Sequence, residues 1–361
     1  MTEPPSTTTG IATGSTAGPP TRLRNFSPWF QAVSRLMATE QDDPLPDDPG
    51  GFDSWKGRFR ARLQDLLAPW PQPVPTNTEV TEEVAADGYV QQRIVFDTED
   101  TMSVPAYLLV PDDRTEPGSA VLAVHGHGPG KSRVCGVEPD DPPGGDYAAE
   151  LARRGHVVLA PDLRCFGERA DWNPPDHYGC DTNLVHQVMG GWNPLTQNLW
   201  DLARALDVLE AHPLVDPDRM GMAGFSYGAT ATLFLAALDP RVAAAVVCCY
   251  FSSWAESHKM PWNMCGSQVL FGMLGRMEHA DVGALVAPRP LLIVTGRDDL
   301  LFPVAAAEES AARVQRVYDH VGAGDRLGLD VFDGEHQWHG DRAYPFLDRW
   351  LGVGPGSGPG S

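Results

Sequence analysis

Arg219-Met220-Gly221-Met222-Ala223-Gly224-Phe225-Ser226-Tyr227-Gly228-Ala229-Thr230-Ala231-Thr232-Leu233-Phe234-Leu235 decides the fold. The run up to Phe225 is apolar or small after its first residue and short enough for a buried strand, and an Ala-rich helical segment then runs from Ala229 to Leu238. Between them Gly224-Phe225-Ser226-Tyr227-Gly228 fits G-x-S-x-G. A serine hydroxyl is a weak nucleophile and must stand exposed on a tight strand-to-helix turn beside a base, with small residues flanking it. Ser226 is therefore the candidate nucleophile. The N–H of Tyr227, at the start of the helix, is a candidate donor to a developing oxyanion.

Outward from this turn the same grammar repeats. Apolar runs at Ala120 to His125, His156 to Pro161, Val242 to Tyr250, Pro290 to Thr295 and Leu329 to Phe332 alternate with helical segments at Asp146 to Arg154, Leu199 to His212 and Val304 to Val321. This alternation predicts a mostly parallel central sheet flanked by helices, an α/β fold. Val90 to Asp97 and Val104 to Pro111 read as an antiparallel pair entering the sheet. Residues 89–352 are expected to form the catalytic domain, and residues 22–88 an N-terminal helical appendage with apolar spacing in Asn25 to Thr39 and Asp53 to Leu67. Residues 1–21 and 353–361 read as a disordered and a flexible tail.

Two segments, 165–198 and 252–288, are too long for ordinary connections and are expected to be cap-like insertions. They carry Trp172, Trp192, Trp254 and Trp262. Those side chains form either a wall for an apolar acyl group, with Trp254 and Trp262 as substrate-binding residues, or a small satellite core.

The other chemical groups come after strands, in order. His125-Gly126-His127-Gly128 comes after Ala120 to Val124, and the N–H of His127 is the expected second oxyanion donor. An H-x-H metal site at this turn lacks further ligands nearby, and no metal is expected. Gly296-Arg297-Asp298-Asp299 comes after Pro290 to Thr295, and Asp299, three residues after Gly296 and four before Pro303, is favoured over Asp298 as the acid. His336 lies past the last strand and is favoured over His339 as the base. The order Ser, Asp, His differs from the chymotrypsin and subtilisin orders.

These motifs, with Pro161-Asp162-Leu163-Arg164, Ala287-Pro288-Arg289-Pro290 and Phe346 to Leu351, resemble the dienelactone hydrolase-like part of the α/β-hydrolase superfamily. The likeness is strongest to bacterial enzymes similar to acetyl xylan esterases and cephalosporin-C deacetylases, and it covers roughly Val90 to Leu351. It implies a Ser226–His336–Asp299 triad that cleaves esters of a small-molecule substrate; the alternatives are the same triad acting as a peptidase, thioesterase, lactonase or acyltransferase on a specialised metabolite, or an inactive binding protein on a hydrolase scaffold. No cofactor is expected, since nucleophile, base and oxyanion donors all come from the chain. Serine stands here where dienelactone hydrolases proper use cysteine. Asp162 and Arg164 are expected to fix loops by ion pairing.

Bulk properties exclude other classes. A formal net charge of -21 repels phosphate backbones and anionic lipid, so neither nucleic acid nor a membrane surface is an expected partner. The start of the chain lacks the basic and apolar runs of a secretory signal, which leads to a cytoplasmic expectation. The six cysteines contain no C-x-x-C pair and are expected to be reduced.

Overall fold

The computed structural model describes residues 27–138, 144–171, 179–259 and 264–353. The expectations for residues 1–21, for Trp172 and Trp262, and for nearly all of the C-terminal tail lie outside these residues.

Among the described residues nine strands form one sheet: β1 (Glu79–Ala85), β2 (Tyr89–Glu99), β3 (Met102–Pro111), β4 (Gly118–Val124), β5 (Val157–Pro161), β6 (Val215–Phe225), β7 (Ala244–Cys248), β8 (Leu291–Gly296) and β9 (Leu327–Phe332), in the spatial order β1-β2-β3-β5-β4-β6-β7-β8-β9. The first three strands are antiparallel to their neighbours, and every pair from β5 across to β9 is parallel. All residues of β4, β5, β7 and β8 are buried. Continuous burial is what a parallel strand covered on both faces requires, and it explains the unbroken apolar runs.

The covering helices are α1 (Pro28–Ala38), α2 (Phe52–Leu67), α3 (Lys131–Val134), α4 (Tyr147–Arg153), α5 (Gly179–Met189), α6 (Pro194–Glu210), α7 (Tyr227–Leu238), α8 (Trp254–Ser257), α9 (His279–Val286), α10 (Val304–His320) and α11 (Ala343–Leu351). Among the described residues, no helix is long and apolar enough to cross a membrane. Within the N-terminal appendage α2 is part of the main core, whereas α1 buries no residue. Phe52, Trp55, Phe59 and Leu63, at helical spacing, are almost fully buried with the residues of α7 and α9, each contributing about 1.5–3 kcal/mol relative to exposure. The appendage is not wholly helical, however. Glu79–Ala85 pairs with β2 as the edge strand β1 although every residue in it is exposed; its order comes from the backbone ladder, so it lacks the buried face that would announce it.

Strand order reverses at β4, which lies between β5 and β6. In open α/β sheets the crevice at such a switch point, beyond the carboxyl ends of the strands, is where ligands bind. The turns after β4, β6, β8 and β9 carry His127, Ser226, Asp299 and His336, so the sheet alone brings these four onto one edge.

Candidate active site

Ser226 connects β6 to α7 with φ 54° and ψ -117°, a positive-φ conformation that costs a non-glycine residue of order 1–3 kcal/mol. The two motif glycines make this possible. A Cβ on Gly224 would collide with the carbonyl of Gly228, and one on Gly228 with the carbonyl of Val124; both obstacles are backbone. Gly228 thus allows α7 to press against the end of β4, and the turn after β4 meets the nucleophile. A Cβ on Gly126 would stand 3.2 Å from the Cβ of Ser226. Tyr227 opens α7, so its N–H has no acceptor within the helix. Its ring is buried, and its hydroxyl accepts from Asn198 Nδ2 at 2.8 Å.

Ser226, His336 and Asp299 form a continuous chain of hydrogen bonds. His336 Nε2 lies 2.8 Å from Ser226 Oγ, and His336 Nδ1 lies 2.8 Å from Asp299 Oδ2. The other oxygen of Asp299 accepts from the N–H groups of Leu301 at 2.8 Å and Phe302 at 3.2 Å, which fixes the carboxylate plane. With a buried carboxylate on Nδ1, the neutral ring carries its proton there and leaves Nε2 as an acceptor. The imidazole packs against Phe225 and Phe302, with ring centroids at 5.0 and 5.8 Å.

The rival residues are placed elsewhere. Asp298 is exposed, and His339 stacks on Phe332 at 4.4 Å and lies 3.6 Å from Asp341. Cys248 and Cys249 are buried, and both thiols donate to the carbonyl of Gln337, at 3.5 and 3.3 Å, securing the loop that carries His336.

The His127 turn is secured by buried polar groups. His125 Nε2 accepts from the N–H of Leu163 at 3.0 Å, and Nδ1 bonds to the carbonyl of Gly126 at 2.7 Å; the imidazole is structural. Asp162 accepts from the Lys131 N–H at 2.8 Å, from its ammonium at 2.6 Å and from the Glu168 N–H at 3.0 Å. Burial opposes charge on Lys131, but Asp162 and Glu168 outweigh it and hold the ammonium pKa above its ordinary value. Arg164 pairs with Asp201 at 2.9 Å and with Glu99. Asp162 and Arg164 therefore do hold loops around the site.

A pocket of about 610 Å³ opens over Ser226 and His336. Asp181, from the first insertion, and Met264, Cys265 and Gln268, from the second, line it. Among the described residues, its aromatic walls come from other places: Tyr147, Phe225, Phe302 and Trp338, with Trp338 stacked on Tyr147 at 4.0 Å. The signal for two of these walls was proximity in sequence, since Phe302 comes shortly after Asp299 and Trp338 shortly after His336.

Trp254 does not line the pocket. Its indole is 1% exposed, donates to the Met277 carbonyl at 2.9 Å and packs edge-on against His279 at 4.2 Å. This is the satellite-core alternative, and the reason is local: α8 turns the ring inward beneath the second insertion. Trp254→Ala is expected to lower the unfolding free energy by about 3–5 kcal/mol and to leave the preference among substrates unchanged, as chemical denaturation and a substrate panel would show. A stable variant with an altered preference would place the ring in the site after all.

Comparison with known proteins agrees with this architecture. The model of the Abhydrolase family matches residues 45–323. YtaP of Bacillus subtilis (strain 168), whose name assigns it to the hydrolases, is 28% identical over 307 residues, 81% of this chain and 98% of its own. A Bacteroides fragilis structure assigned to the acetyl xylan esterases superposes with a TM-score of 0.73 at 20% identity, covering 86% of this chain and 83% of that one. A glucuronoyl esterase from Solibacter usitatus superposes with a TM-score of 0.64 at 15% identity, covering 84% and 94%. With the family match spanning most of its length, its sheet order and its serine turn, the chain belongs to the Abhydrolase family of the α/β-hydrolase superfamily.

Proposed function

We propose that the protein is a serine esterase that cleaves carboxylic esters through an acyl-enzyme on Ser226. The observation that carries this reading is the 2.8 Å and 2.8 Å relay from Ser226 Oγ through His336 to Asp299, at the floor of a pocket open to a small molecule. His336 takes the Ser226 proton as the oxygen attacks the ester carbonyl, Asp299 stabilises the resulting imidazolium, and His336 then protonates the departing alcohol. The N–H groups of Tyr227 and His127 receive the developing oxyanion. Water activated by the same histidine releases the acid. Nucleophile, base and oxyanion donors all come from the chain, so no cofactor enters these steps.

The esterase names of the structural neighbours favour ester over amide cleavage, and a pocket of about 610 Å³ has room for a small or medium acyl group. The buried aromatic rim of Phe302 and Trp338 suits a short apolar acyl chain, where each methylene removed from water contributes about 0.8 kcal/mol. A panel of p-nitrophenyl esters of increasing acyl length, run beside aminoacyl-naphthylamides, tests this. Activity should be confined to the esters and fall beyond medium acyl length; cleavage of the amides with inert esters would contradict it.

A further inference from the structure

Three residues far apart in sequence converge at the wall of the pocket. His127 Nε2 lies 3.7 Å from Cys180 Sγ, and the ligand atoms of His127, Cys180 and Cys265 all lie within 4.8 Å of one another. Cys180, near the start of α5, is 1% exposed and Cys265 is 8% exposed. His127 and Cys265 line the pocket.

We propose that His127, Cys180 and Cys265 bind a thiophilic divalent cation of the zinc class, with a fourth position open to the pocket. The donor set is two thiolates and an imidazole, the combination such ions prefer over hard cations. Zinc bonds of about 2.3 Å to sulfur and about 2.0 Å to nitrogen in a tetrahedron separate the two ligand atoms by about 3.5 Å, close to the 3.7 Å between Cys180 and His127. The ligands are also held in place by their surroundings. The His127 ring lies 5.4 Å from Phe166 and 5.2 Å from Tyr227, the hydroxyl of Ser267 donates to the Cys180 carbonyl at 3.0 Å, and the N–H of Gly266 donates to Asp181 at 2.7 Å. These contacts join the two cysteine-bearing segments before any ion arrives, so little ordering remains to oppose binding.

Cation binding requires both sulfurs as thiolates, so the protons they carry are released to solvent on loading.

The test uses the full chain, freed of metal by chelation and titrated with Co²⁺ as a spectroscopic probe. One Co²⁺ per chain is expected, with a thiolate-to-cobalt band in the near ultraviolet that Zn²⁺ abolishes by displacement. Cys180→Ser and Cys265→Ser should each weaken binding by at least about 100-fold, since loss of even an outer partner of a ligand costs about 10–100-fold; Cys135→Ala, a buried cysteine outside the cluster, should bind as the parent does. Circular dichroism and Cys265→Ala guard against a variant that merely misfolds. Absence of the near-ultraviolet band, or a band unchanged in both serine variants, would overturn the proposal. So would untreated protein that shows two thiols fewer than its six with Cys180 linked to Cys265, because the pair would then be a disulfide. None of these readouts needs turnover, so they stand apart from the esterase reading.

Discussion

Ser226→Ala is expected to lower kcat for ester hydrolysis by about 10⁴-fold or more while leaving the unfolding midpoint close to that of the parent. The size of the loss reflects the role: with no nucleophile the acyl-enzyme cannot form, and only oxyanion stabilisation and binding remain to catalyse attack by water. The stability expectation rests on the contacts. The serine hydroxyl bonds to His336, and the methyl of alanine occupies the same small space on the same backbone turn. Stopped activity with intact folding separates a nucleophile from a structural serine. Turnover within tenfold of the parent would remove Ser226 from the mechanism.

Asp299→Asn should cost a comparable factor, about 10⁴ in kcat, by a different route. The carboxylate accepts from His336 Nδ1 and from two backbone N–H groups. An asparagine that keeps its oxygen on Leu301 and Phe302 turns its NH₂ toward Nδ1, so the ring must carry its proton on Nε2. That nitrogen can then no longer accept the Ser226 proton. Asp298→Asn, on an exposed side chain one residue earlier, should change kcat by less than about threefold. Steady-state kinetics on both variants distinguish them, and the opposite ranking would transfer the acid role to Asp298.

The catalytic candidates were legible in sequence because strand ends report themselves. An apolar run ended by a glycine turn locates the carboxyl edge of a parallel strand, and Ser226, Asp299 and His336 each lie just past one. Spacing from Gly296 and Pro303, the commoner one for the acid in this fold, favoured Asp299 over Asp298; Asp299 is buried and Asp298 exposed. The edge strand β1 was not legible, because Val80 and Val84 stay exposed and its order depends on hydrogen bonds to β2. Trp254 was equally opaque: tryptophan in a long connection has the same composition whether it faces a ligand or a core, and only the direction of α8 decides. The meeting of His127, Cys180 and Cys265 left no local trace at all, since the three are brought together by two insertions folding onto a turn that precedes both.

One measurement tests the nucleophilic role of Ser226 most directly: incubation of the protein with a fluorophosphonate, then peptide mass spectrometry. The reagent phosphonylates a serine only where a base activates it and an oxyanion site receives the phosphoryl oxygen. One adduct per chain is expected, on Ser226, formed rapidly in the parent and absent after His336→Ala. No adduct on Ser226 in folded protein, or an undiminished adduct in His336→Ala, would contradict the mechanism.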